Sequence, residues 1–119
     1  MLSEINLADQ GNSFFGTRFL GRGLREKLEA FLSEDEGKRE VRIDFANLGV
    51  TQSFLDEFLG VLVVSQGQEI VDRIAFAHCT TETRALLEFV IGSRLSDRER
   101  LASKIRVHGY QSRRDLITG

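Results

Sequence analysis

The side chains best suited to chemistry in this sequence are three carboxylates, one serine set between them, and an adjacent histidine and cysteine: Asp44, Ser53, Asp56, Glu57, His78 and Cys79. Paired carboxylates can divide the work of general acid and general base, and a cysteine becomes a nucleophile when a base lies beside it. Asp44 stands in a stretch of alternating polar and apolar residues, whereas Asp56 and Glu57 fall in what reads as the first turn of a helix, where the helix dipole already accounts for them. Cys79 reads as a small, inert, buried side chain. His108 lies 30 residues beyond His78, and two histidines with one cysteine at that spacing do not make a metal set. No catalytic residue and no metal are therefore expected. A cleft near Asp44 and His78, serving a small ligand-binding domain or an enzyme, is the alternative these residues leave open.

Gly16 and Gly21 have the gap of a phosphate-binding loop, but Arg22-Gly23 follows where a lysine and a hydroxyl residue are required. Gly21-Arg22-Gly23 also lacks the third glycine of a dinucleotide fingerprint. No cofactor is expected.

The chain has 119 residues, 41% of them hydrophobic, which suits one domain around one core. A single cysteine leaves no disulfide framework, and no leader segment or membrane-length apolar run is evident, so the expected location is the cytoplasm. Residues 1–93 hold 9 Lys and Arg against 15 Asp and Glu, while residues 94–119 hold 7 against 3. An acidic body with a basic tail would allow self-association into a homo-oligomer through opposite charges. Nucleic acid is not the expected partner, because only Tyr110 could offer the tail a stacking platform.

These residues have to be positioned by regular elements. Ile5 and Leu7 suggest a short edge strand, and the turn formers over 9–13 followed by Phe14-Phe15-Gly16 suggest a tight turn or hairpin. Leu20, Leu24, Leu28 and Phe31 recur with helical spacing over 18–32, and Gly21 and Gly23 could let that helix approach a sheet. The charged run over 33–40 reads as a loop. Val41, Ile43 and Phe45 alternate with Arg42 and Asp44 as a strand with one buried face. A crossing loop over 46–52 leads to a second helix that opens at Ser53, where Ser53 and Asp56 have capping-box spacing, and closes at Gln66-Gly67-Gln68. A core strand over 73–78 follows, its Ala75 and Ala77 implying a crowded second face. A third helix with Leu86, Leu87, Val90 and Ile91 is expected to end at Gly92-Ser93. Beyond it, residues 96–119 read as a basic extension forming a short helix, a last edge strand through Ile105 and Val107, or a flexible tail.

Gly16-Thr17-Arg18 before the first helix, Ile43-Asp44-Phe45, and Ser53-Phe54-Leu55-Asp56-Glu57 at the second helix, taken with the order of elements, resemble the STAS-like family of small bacterial domains related to anti-sigma-factor antagonists. The resemblance covers about residues 1–95. It implies an α/β fold with a small mixed sheet and helices packed mainly on one face. It also implies a non-catalytic regulatory module that binds a protein partner through the N-terminus of the second helix. Ser53, Asp56 and Glu57 would make the contact, Ser53 would be the matching phosphorylation position, and the partner would be a histidine-kinase-like ATPase or an anti-sigma-type protein.

Overall fold

The computed structural model describes residues 3–105. In chain order its elements are β1 (Ser3–Asn6), β2 (Phe14–Phe15), α1 (Arg18–Leu32), β3 (Val41–Asp44), β4 (Gly49–Val50), a helix α2 over 52–66, a short α3 (Gln68–Asp72), β5 (Ile74–Ala77) and a long α4 (Thr81–Ile105). The main sheet has the order β1-β3-β5 and is parallel throughout. Parallel neighbours need crossover connections. Here α1 links β1 to β3 and α2 links β3 to β5, and because the strands are added in one direction, crossovers of the usual right hand place both helices on the same face. The expected α/β architecture is thus present.

Pairing aligns Ile5 with Ile43 and Phe76 on the inner face, and Glu4 with Arg42 and Ala75 on the outer one. Val41, Ile43 and Phe45 are fully buried, as their alternation requires. They meet Leu24, Leu28 and Leu32 of α1, Phe54, Leu55, Phe58 and Leu59 of α2, and Leu87 and Val90 of α4 in one core. Burial of each such side chain contributes about 1.5–3 kcal/mol, and the Phe15, Phe54 and Phe58 rings pack in series at tilted angles with centroids 5.3 and 5.4 Å apart. On the outer face, Ala75 is exposed, so the small residues of β5 do not answer a crowded second face; β5 is the second edge of the sheet.

Several local expectations are corrected. Phe14-Phe15 forms no hairpin: it pairs in parallel with Gly49-Val50, after a 3-10 turn (Leu7–Gln10) that Asn6 caps through Ala8 N at 2.9 Å. Helix α1 keeps its predicted bounds, with Thr17 as cap, but Gly21 opens its surface toward α2 and not toward the sheet. A Cβ on Gly21 would lie 2.6 Å from the Phe54 carbonyl oxygen, while one on Gly23 would meet nothing within 4 Å. Within the expected loop 33–40, Glu34–Gly37 makes a turn in which Asp35 and Glu36 take left-handed φ values of 54° and 58°. The short α3 was hidden between a helix stop and a strand. Helix α4 does not end at Gly92-Ser93: it runs through Ser96 to Ile105, held by Arg94 on Asp56 and by Arg98, whose Nη1 donates to the Val64 carbonyl at 2.8 Å. A strand through Ile105 is thereby excluded, and Val107 and His108 lie outside the described residues.

Candidate functional site

The N-terminus of α2 is set by Thr51, one of the residues assigned to the crossing loop. Its Oγ1 accepts from Phe54 N at 3.1 Å, the hydrogen bond that satisfies an otherwise orphan amide of a first turn. The same hydroxyl donates to Gly16 O at 3.0 Å, and Thr51 N donates to Phe15 O at 3.0 Å, so the cap also fastens the helix start to β2. Ser53 is therefore not the cap. It is the second residue inside the helix, half-buried, next to exposed Gln52. A short polar side chain is favoured at either position, which is why the sequence pattern did not separate them. The ring of Phe14 covers Gly16 and Gly49 beside this cap and is itself 54% exposed.

Asp56 and Glu57 lie beyond the first turn. After an α-helical segment (Gln52–Leu55), they open a π-helical turn (Asp56–Gly60) that Val61 N closes on Asp56 O, and a second α segment (Val61–Gln66) completes α2. Such turns are rare and concentrate at functional sites. Both carboxylates are engaged within the protein. Arg94 of α4 forks onto Asp56, with Nε to Oδ1 at 2.7 Å and Nη2 to Oδ2 at 2.5 Å. Arg25 of α1 donates from Nη1 to Glu57 Oε2 at 2.6 Å and to the Glu57 carbonyl at 2.7 Å. Arg18 stands 3.5 Å from Asp56 and 3.6 Å from Glu57.

The Arg94 hydrogen bonds, working against burial and helped by the charges of Arg94 and Arg18, hold the Asp56 carboxyl below its usual range. The Arg25 hydrogen bond does the same for Glu57. A Cβ on Gly60 would fall 2.6 Å from Asp56 Oδ1, so this glycine makes room for the carboxylate. Helices α1 and α4 are thus ion-paired to one turn of α2. Sequence reading missed Arg94 and Arg25 as partners, because nothing local connects Arg94 to a carboxylate 38 residues away.

The second group also assembles. Asp44 ends β3 on the outer face, and His78 follows β5, the neighbouring strand; His78 Nδ1 lies 3.0 Å from each oxygen of the Asp44 carboxylate. Asp44 Oδ1 also accepts from Ala46 N at 2.8 Å, and the two loops are joined by Asn47 N donating to His78 O at 2.8 Å. Ala46, Asn47 and His78 all adopt left-handed backbone, with φ of 53°, 57° and 52°, a conformation that non-glycine residues hold only where surrounding contacts impose it. Asp44 is buried, although its position on the outward row predicted exposure. Burial alone would raise its carboxyl pKa; the Ala46 amide and the His78 ring outweigh that and hold it below the usual range.

A groove of about 330 Å³ opens beside His78, between the end of β5 and α4, with Phe76, Leu87 and Ile91 supplying apolar surface. Cys79 lines it too. Burial pushes the Cys79 thiol up, more than Arg84 lowers it, which is the condition of a quiet thiol and not of an activated nucleophile. Among the described residues no cluster of three or more His, Cys, Asp or Glu side chains gathers as metal ligands do, and no helix is long and apolar enough to cross a membrane. Gly21 lies inside α1 under Phe54, so Gly16 and Gly21 do not share a phosphate-binding loop.

The profile of a family described as a STAS-like domain of unknown function (DUF4325) matches residues 20–84, from α1 to the first turn of α4. No curated protein and no solved structure matches the chain. The matched span exceeds half of the sequence and contains the central strand, the π turn and both residues of the Asp44–His78 pair, and on that extent the chain belongs to the family of STAS-like domains of unknown function.

Proposed function

We propose that this protein is a non-catalytic regulatory module of the anti-sigma-factor-antagonist type, which docks a protein partner at the N-terminus of α2. The observation that carries this reading is the build of that helix start. Thr51 fixes it to β2, leaving Gln52 exposed and Ser53 half-buried, with the half-exposed Phe14 ring over Gly16 and Gly49. A rigid backbone with one aromatic anchor and small polar neighbours limits the ordering cost of association. Ser53, Asp56 and Glu57 border the contact, with Arg18 presenting a 56% exposed side chain that already reaches both carboxylates. The partner is a histidine-kinase-like ATPase or an anti-sigma-type protein in the cytoplasm. Phosphorylation of Ser53 would add about −1.5 to −2 charge in the first turn of α2, where free amides favour it and an acidic partner surface would not.

The experiment is affinity capture from the native host with the full chain and with Ser53→Arg and Gln52→Arg variants, followed by identification of the captured proteins. Loss of one ATPase or anti-sigma-type protein from both variants, at unchanged circular dichroism, supports the reading. Its retention by both variants ends it.

One observation favours a second reading, a small ligand-binding domain or enzyme: Asp44 and His78 meet at the carboxyl ends of two adjacent parallel strands, beside a groove. Open α/β sheets bind ligands at that end. Stabilisation of the pure protein by small molecules in a thermal-shift screen tests it.

A further inference from the structure

The groove beside His78 has a chemistry that can be read group by group, and it rests on the second reading above. Asp44 is ionised and can only accept hydrogen bonds, so the His78 nitrogen at 3.0 Å from both of its oxygens carries a proton. The ring is held in one orientation by the buried carboxylate, which leaves Nε2 as its free nitrogen. The wall opposite the strand is the first part of α4. It contributes Arg84 and Glu88, one turn apart and both exposed. Among the described residues neither of these belongs to an ion pair. Arginine preceding glutamate is the weaker order for a pair four residues apart on a helix. The groove therefore offers one cation, one anion, one oriented imidazole and an apolar floor of Phe76, Leu87 and Ile91.

We propose that this groove binds a free α-amino acid with an apolar side chain. Its carboxylate pairs with Arg84, its ammonium group pairs with Glu88 beside the oriented His78 ring, and its side chain covers Phe76, Leu87 and Ile91. The volume of about 330 Å³ is at the small end of ligand sites and has room for a single amino acid. The two charges of a zwitterion match Arg84 and Glu88, the two charges that α4 places along the groove. A simple fatty acid would leave Glu88 facing its carboxylate, and an amine would leave Arg84 unmatched. Because Asn47 N also bonds to His78 O, an occupant at His78 sits one hydrogen bond from the loop that leads to β4 and Thr51.

The test is a two-dimensional amide NMR titration of the full-length protein at neutral pH, without any partner, using L-leucine, L-methionine and L-phenylalanine up to about 20 mM, a range that captures the millimolar affinity expected of so small a ligand. Saturable shifts confined to the amides around Phe76, His78, Leu87 and Glu88 are expected. 4-Methylpentanoate and 3-methylbutylamine, each with one charge removed, should bind at least about fivefold more weakly, and Arg84→Gln and Glu88→Gln should each weaken L-leucine by at least about fivefold. Both substitutions are at exposed positions, so the fold is retained. Equal binding of the acid or the amine, unchanged binding by the two variants, or no saturable shift overturns the amino-acid assignment. A small molecule of another class that shifts the same amides would overturn it while leaving the groove as a ligand site; shifts from no compound at all would remove the second reading as well.

Discussion

Arg94 and Asp56, 38 residues apart, are joined by two parallel hydrogen bonds, and the pair closes α4 onto the π turn of α2. Arg18 and Asp97 add secondary contacts at the two ends, Arg18 to Asp56 at 3.5 Å and Asp97 to Arg94 at 3.0 Å. Asp56 on α2 is thus reached from both α1 and α4.

Removing one partner should cost more than the pair itself contributes, because the other charge stays half-buried. Arg94→Gln is expected to destabilise the protein by about 1–2 kcal/mol, a figure kept low because Arg94 is itself about one-third exposed. In thermal unfolding this is a fall of several degrees. A double-mutant cycle with Asp56→Asn should return a coupling of at least about 0.5 kcal/mol; additive single effects would show that the fork is not an energetic unit.

Two glycines two residues apart in α1 should respond in opposite directions to alanine. Gly23→Ala meets open space and should gain about 0.5–1 kcal/mol from helix propensity. Gly21→Ala places a methyl group 2.6 Å from a backbone oxygen of α2 and should lose about 1–3 kcal/mol net. Urea denaturation of the two variants decides the matter, and a shift of the same sign in both would contradict the close helix contact.

Thr51→Ala removes the α2 cap and the tie to Gly16, and should cost about 1–2 kcal/mol. Ser53→Ala, two positions after the cap, should change stability by less than about 0.5 kcal/mol. The reverse ranking in chemical denaturation would restore Ser53 as the cap.

Asp44, Asp56 and Glu57 are all held below the ordinary carboxylate values of 3.8 for aspartate and 4.5 for glutamate. As pH falls, the unfolded chain takes up protons before the folded one, so their stabilisation is complete above roughly pH 5 and is lost as pH drops through the ordinary values toward the depressed folded ones. Urea midpoints measured between neutral pH and about pH 3 should therefore decline at the acidic end. Asp56→Asn should show a shallower decline; an identical slope would mean that the ion pairs of Asp56 do not titrate with folding.

Much of the architecture was legible because it rests on local periodicity. The bounds of α1, the buried face of β3 and the apolar stripe of α2 all follow from one-face burial, and the structure keeps them. The errors share a different cause. Phe14-Phe15 looked like half of a hairpin because its partner, Gly49-Val50, is distant in sequence and runs parallel. Gly92-Ser93 looked like a helix stop because the contacts that extend α4, Arg94 on Asp56 and Arg98 on Val64, come from another helix. At the site, Asp44 and His78 were each noticed, but their 3.0 Å contact depends on strand order, which periodicity does not specify.

The apolar residues of α2 recur at an interval of four in two rows, Phe54, Phe58 and Leu62 beside Leu55, Leu59 and Val63, and all six are buried. On an ideal α-helix each step of four overshoots a full turn by about 40°, so two steps would rotate each row by about 80° away from the core. The π turn unwinds that excess midway, so both rows keep facing inward. The helix is underwound by its own sequence. A helix of the same length wound regularly from end to end would instead turn Thr51, Gln52 and Ser53 by about 80° relative to the far end, so the π turn sets which way that rim faces.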